Sequence, residues 1–186
     1  SGDVDPVRDI EVINTELILA DMESISKRKG RVEKEAKRGN KEAQHELSLC
    51  EKLIPHFDQG KPAVTLDCTE DEAKLLKSFF LLSGKPCIYA CNVSEAELAA
   101  ASNEPDKHPL VSKVREYVSH AHSASAVVVS AAIESELTDL TDEEVTAYLA
   151  DLGVKDSGAT RLIKSVFDLL GLQSYLTTGE KETRAW

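Results

Sequence analysis

Two short polar runs stand where this chain could do chemistry: Asn92-Val93-Ser94-Glu95, directly after the apolar run Pro86 to Cys91, and Ser130-Ala131-Ala132-Ile133-Glu134, which closes the Ala- and Val-rich run from Ser125. If both apolar runs are strands of one parallel sheet, these residues lie beyond its carboxyl ends, where open α/β sheets bind their ligands. A side-chain amide, hydroxyls and carboxylates there offer a ligand both donors and acceptors. The same residues also fit plain capping, since Asn92 with Glu95, or Ser94 with Glu97, would close a helix N-terminus, and Ser130 could end a strand the same way. At consecutive strand ends and in this order, the two runs carry more weight together than singly.

Other candidate groups are weaker. Lys27, Arg28, Lys29, Arg31, Lys34, Lys37, Arg38 and Lys41 crowd one stretch against only Glu33 and Glu35. Such a basic cluster attracts phosphate backbones, although it also suits a solvated helix with i,i+4 pairs such as Glu33 with Lys37, and no aromatic residue is interleaved for base stacking. Ser130 has no identifiable His and Asp partners for a hydrolase nucleophile, and Glu134 and Glu136 read as solvated helix-end carboxylates. Gly60-Lys61-Pro62 and Gly84-Lys85-Pro86 lack the upstream glycine and following Ser/Thr of a phosphate loop. Asp168-Leu169-Leu170-Gly171 matches a D-x-x-G pattern by letters but falls within a predicted helix. The cysteines at 50, 68, 87 and 91 form no CxxC pair and read as ordinary thiols, with Cys87 and Cys91 ~13 Å apart if both lie on one strand. His120 and His122 make too poor a ligand set for a metal, and no metal site is assigned.

The elements that must position these groups follow from periodicity. Asp5-Pro6 reads as N-cap and first residue of a helix with apolar positions Ile10, Ile13, Leu17, then Ile18, Met22, Ile25, Val32 and Ala36. A turn at Arg38-Gly39-Asn40 leads to a second helix with Ala43, Leu47, Cys50, Ile54 and Phe57 on its stripe. The two describe an antiparallel hairpin packed like a coiled coil, with the basic cluster at its polar outer end. Ala63 to Cys68 reads as extended, and Thr69 with Glu72 boxes a helix through Phe80. After Gly84-Lys85-Pro86 the two apolar runs, a loop bearing Asn103, Pro105 and Pro109, and a helix from about Leu110 to His122 make a βαβ unit with strands buried on both faces. Thr141 with Glu144 opens another helix, a further one spans Gly158 to Leu170, and Ser174 to Thr178 is extended. The fold class is α/β. Charged residues make up 30% and the formal net charge is −11, which argues against nucleic-acid binding by the chain as a whole. No run approaches the ~20 apolar residues of a membrane span, and no secretory signal is visible, so a cytoplasmic protein is expected.

The strand-end pair has the layout of the base-recognition corner of a G domain, usually N-K-x-D and then S-A, here N-x-x-E. With that departure, the sequence resembles the YchF/Obg-like ATPase family of P-loop NTPases. The likeness also runs through the opening Asp3-Val4-Asp5-Pro6-Val7-Arg8-Asp9-Ile10-Glu11, the Leu81 to Glu95 stretch, Ala131-Ala132-Ile133-Glu134-Ser135-Glu136, and the closing Thr178-Gly179-Glu180-Lys181-Glu182-Thr183-Arg184-Ala185-Trp186. It implies a partial G-domain parallel sheet with an inserted helical hairpin. The expected organisation is 1–18 entering the insertion, 19–83 the hairpin, 84–178 the rear of the G domain, and 179–186 the link to a TGS domain that, like the N-terminal phosphate loop and switch segments, is absent from this sequence.

By the same resemblance Asn92 bonds the base edge, Val93 supplies backbone C=O and N–H, Glu95 replaces the guanine-reading Asp, and Ser130, Ala131 and Ala132 wall the pocket. Adenine presents an N6 donor beside an N1 acceptor, the reverse of guanine, so a backbone C=O and N–H match it where a carboxylate does not. ATP is therefore expected over GTP, with relaxed specificity. Mg²⁺ would accompany ATP in the complete protein, with ligands outside this chain, and no catalytic residue is assigned here. The expected partners are ATP or GTP, and the ribosome or RNA through the basic hairpin, with the protein a monomer. The alternative is a non-catalytic RNA- or protein-binding module that uses the hairpin.

Overall fold

A computed structural model describes residues 4–121, 124–179 and 182–185; Asp3, His122, Glu180, Lys181 and Trp186, which figure in the readings above, lie outside the described residues. The chain divides into two units, Ser1–Pro86 and Cys87–Trp186.

In the first unit, α1 (Pro6–Lys37) and α2 (Lys41–Asp58) form the expected antiparallel hairpin. Asp5 caps α1, its Oδ1 accepting from the Arg8 amide at 3.4 Å. The turn between the helices uses Gly39 at φ +90°, a conformation open to glycine at little cost. Asn40 then caps α2, accepting from the amides of Glu42 at 3.0 Å and Ala43 at 3.3 Å. At ~1.5 Å per residue α1 is about 48 Å long and α2 about 27 Å, so the first turns of α1 extend past its partner. That is why Ile13, expected on the buried stripe, is 54% exposed, and burial begins at Ile18. On α2 the stripe is also rephased: Leu49, Cys50, Leu53 and Phe57 are buried, while Leu47 and Ile54 are only half-buried.

The hairpin base is closed by a 3₁₀ turn, Ala63–Thr65, where an extended piece was expected, and by α3 (Glu70–Ser78) with its Thr69/Glu72 capping box. The chain then reverses at Phe80, at φ +54°, a left-handed conformation costing a non-glycine residue about 1–2 kcal/mol. Asp21 of α1 holds the segment that follows. Its buried carboxylate accepts from the amides of Leu82 at 2.8 Å and Ser83 at 2.7 Å and from the Ser83 hydroxyl at 2.6 Å. Ser83 Oγ in turn accepts from the Ala63 amide at 3.0 Å.

The second unit is the expected βαβ arrangement. Strands β1 (Cys87–Asn92) and β2 (Ala124–Val129) pair in parallel, Cys87 opposite Ala124 through Asn92 opposite Val129. Two helices connect them, α4 (Glu95–Asn103) and α5 (Pro109–His120); α4 occupies a stretch read only as capping signals and loop. Then come α6 (Ala131–Leu137), α7 (Asp142–Asp151) and α8 (Gly158–Leu170). Strands β3 (Leu176–Thr178) and β4 (Thr183–Ala185) form a separate antiparallel pair. Leu98, Ile133, Leu149 and Val154 make the core under α4, α6 and α7, with Val93 and Val128 packed against it. Burial of the strands on both faces does not hold: within β1 and β2 only Val127 is fully buried, and Ala90 and Asn92 are exposed. Among the described residues each strand has a single neighbour and so one unpaired edge, and the side chains along a pair this narrow stay partly open to solvent.

Asp21→Ala would leave three donors at the hairpin base without their acceptor. Urea unfolding followed by circular dichroism is expected to lose about 3 kcal/mol for Asp21→Ala and no more than ~0.5 kcal/mol for Glu16→Ala on the exposed face of α1. Equal small losses would contradict this role for Asp21.

Candidate functional site

The ends of β1 and β2 converge. Beyond the last paired residues the Val93 amide donates to the Val129 carbonyl at 2.9 Å, extending the ladder by one bond. Asn92 Oδ1 accepts from the Ala131 amide at 2.9 Å, tying the two polar runs directly together. The structure thus brings Asn92, Val93, Ser130 and Ala131 to one corner. Ser130 is 1% exposed, and its hydroxyl has no partner among the described residues. Ala131 and Ala132 are exposed at the start of α6, and Glu95 is exposed as the first residue of α4.

One open alternative at this corner is resolved and one expectation changes. Asn92 does not cap α4. Ser94 does, with the Glu97 carboxylate accepting from its amide at 3.3 Å and its hydroxyl at 2.5 Å; these bonds hold the Glu97 carboxyl below its usual range. Val93 cannot offer both backbone groups, because its N–H is taken by Val129, which leaves its carbonyl. The Asn92 side chain supplies the complementary group: with Oδ1 facing the Ala131 N–H, its Nδ2 is a donor.

Glu134, read as solvated, is a partly buried anchor, while Glu136 is exposed as expected and also takes a partner. Glu134 Oε1 accepts from the Gly158 amide at 2.6 Å and Oε2 from the Ala159 amide at 3.2 Å, placing a carboxylate at the N-terminus of α8, where the helix dipole favours it. Tyr148 of α7 donates its hydroxyl to Glu136 Oε2 at 2.5 Å. That bond, with Glu95 contributing more weakly, pushes the Tyr148 pKa up to about 12. Arg161 lies in the first turn of α8; its burial pulls the guanidinium pKa down, opposed by Glu134 and Asp156. The thiols of Cys50, Cys68 and Cys91 are pushed up by burial, which disfavours the reactive thiolate.

On the hairpin, half of the basic cluster is neutralised. Lys27 pairs with Glu23 at 2.5 Å and Lys37 with Glu33 at 2.7 Å. Arg28 pairs with Glu46 at 2.9 Å and lies 4.2 Å from the Phe79 ring centroid, and Lys29 pairs with Glu51 at 3.3 Å. Arg31, Lys34, Arg38 and Lys41 have no ion-pair partner among the described residues. No group of three or more His, Cys, Asp or Glu among the described residues is arranged to hold a metal, and none of the described helices is long and apolar enough to cross a membrane.

Comparison with known proteins adds a class to this geometry. No family model matches the sequence. The ribosome-binding ATPase YchF of Bacillus subtilis (strain 168) is 47% identical over 186 residues, covering 100% of this chain and 50% of that protein. That of Pasteurella multocida (strain Pm70) is 39% identical over 186 residues, with 100% and 49% covered. Among solved structures, the Schizosaccharomyces pombe YchF GTPase matches with a TM-score of 0.81 at 28% identity, covering 100% of this chain and 50% of that one. The fold is therefore of the G-domain-like α/β class with a helical hairpin. The likeness to the YchF family is borne out along the whole chain, which spans about half the length of the curated relatives it matches.

The Tyr148–Glu136 bond has a pH signature. Tyr148 keeps its proton, and the bond its strength, below the ordinary tyrosine pKa; the contribution is lost as pH rises towards 12. In a spectrophotometric titration one tyrosine is expected to ionise late in the wild type and about two units earlier in Glu136→Gln, close to the reference value. Coincident titrations would contradict the bond.

Proposed function

We propose that the complete protein is a Mg²⁺-dependent ATPase that works as a nucleotide-controlled switch on the ribosome, and that the strand-end corner described above reads the adenine base. The observation that carries this reading is the Asn92–Ala131 bond, which joins the two polar runs into one site. The names of the relatives, ribosome-binding ATPase and GTPase, support the reaction and the partner.

In this reading the Val93 carbonyl accepts from adenine N6, Asn92 Nδ2 donates to a ring nitrogen, and Ser130, Ala131 and Ala132 wall the base. Guanine would set its O6 acceptor against the Val93 carbonyl, two acceptors facing each other, so ATP is favoured. Glu95, one methylene longer than the usual aspartate, stands in place of the guanine reader. Phosphoryl transfer needs a phosphate cradle, metal ligands and an oriented water. None of these roles is assigned to the residues described, whose part is to hold and orient the base. Magnesium enters with the nucleotide and takes its ligands elsewhere in the complete, cytoplasmic, monomeric protein. The hairpin meets ribosomal RNA through its unneutralised cations, chiefly Arg31 and Lys34, three residues apart on one face of α1, and Arg38 just past the end of that helix.

Two titrations test the reading on the full-length gene product. Mg-ATP should bind more tightly than Mg-GTP, and Asn92→Ala should weaken ATP about tenfold, the cost of a hydrogen-bonding group lost from the site; unchanged affinity would contradict the base corner. Reversing Lys34 and Arg38 to Glu should weaken ribosome co-sedimentation and lower its salt dependence by roughly two phosphate contacts, while Lys37→Glu, already paired, should do less. Ribosome binding lost with no nucleotide binding in the wild type would favour the non-catalytic module instead.

A further inference from the structure

Three segments meet behind the strand-end corner: residues 92–93 at and just past the end of β1, residues 129–132 from the end of β2 into α6, and the first turn of α8. Val129 joins the first two, since its carbonyl holds the Val93 amide at 2.9 Å. Glu134 joins the second and third. Its own amide donates to the Ser130 carbonyl at 2.9 Å, while its carboxylate accepts from the Gly158 and Ala159 amides at 2.6 and 3.2 Å.

Gly158 makes this junction possible. It is buried, and a Cβ there would stand 2.9 Å from Glu134 Oε1 and 3.1 Å from both Cα and Cβ of Val129. Two of those three neighbours belong to the strand residue that fixes Val93, so a side chain at 158 presses on the corner by a few tenths of an ångström. The requirement is for close approach of helix to strand, where even a Cβ is tighter than ordinary van der Waals contact.

We infer that Glu134 and Gly158 are positioning residues for the base corner, a clasp that sets the spacing between the Val93 carbonyl and the Ser130–Ala132 wall by pinning both to the N-terminus of α8. This rests on the base-reading role proposed above. Neither residue touches the base. Each acts through the backbone of Val129 and Ser130, and the clasp predicts sensitivity in base affinity and none in affinity for the phosphates.

The test uses the full-length gene product with two probes, Mg-ATP and inorganic tripolyphosphate, and the variants Glu134→Ala, Glu134→Gln, Gly158→Ala and Asn92→Ala. Glu134→Ala is expected to weaken ATP about tenfold, the scale of a lost charge-assisted bond, with tripolyphosphate unchanged. Glu134→Gln, which keeps one acceptor oxygen, is expected to recover part of the loss, and Gly158→Ala to weaken ATP in the same selective way. Losses of ATP and tripolyphosphate in equal proportion would mean general damage and overturn the clasp. So would ATP binding weakened by Asn92→Ala but untouched by Glu134→Ala, a result that leaves the base corner standing. No effect of Asn92→Ala on ATP would remove the base corner, and the clasp with it.

Discussion

The parallel pairing of β1 with β2, carried one bond beyond the strands to Val93 and closed by Asn92 Oδ1 on the Ala131 amide, is the constraint on which the second unit depends. A parallel ladder fixes the relative height of its two strands, and so decides which residues of the following loops face each other. Asn92 lies opposite Val129, and a slip of one strand by one residue would turn its side chains to the other face and break this match. The Asn92 amide then satisfies a backbone donor at the start of α6, one of those a helix leaves open at its N-terminus. One bond thus closes the start of α6 and joins the two polar runs.

The supports around that corner are carboxylates meeting donors. Glu97 binds Ser94, Glu134 binds the start of α8, Glu136 binds Tyr148, and Glu144 accepts from the Thr141 amide at 2.9 Å. A strongly acidic composition is thereby partly explained: several acidic residues close helix N-termini, where the dipole favours negative charge. The hairpin unit uses the same device once in its interior, with Asp21 collecting the backbone after Phe80.

Much of this was legible in the sequence because its causes are local. The Asp5-Pro6 start, the turn at Gly39, the capping boxes at Thr69 and Thr141, and α8 from Gly158 to Leu170 all follow from spacing and cap chemistry within a few residues. The misses depend on partners far along the chain. Glu134 meets Gly158 and Ala159, and Arg28 and Lys29 meet Glu46 and Glu51 on the other helix; no helical period announces such pairs. A spacing of three and four fits Leu47 and Ile54 as well as the buried Leu49 and Leu53, and only the partner helix decides between the two sets. For α4 the Ser94/Glu97 signal was visible, but the small, weakly patterned Ala residues after it gave no stripe to extend. In the corner itself, the run of residues could be read, while the loss of the Val93 N–H to Val129 could not, since that depends on the strand register.

The proposed adenine position lies between Val93 and the Ser130–Ala132 wall. Its most direct test is nuclear Overhauser contact between the adenine H2 and H8 protons of Mg-bound ATP and the methyl groups of the full-length protein, labelled at valine and alanine. Contacts to the methyls of Val93, Ala131 or Ala132 are expected, and they should be lost in Asn92→Ala. Contacts confined to methyls outside this corner, with these three silent at saturating ATP, would contradict it.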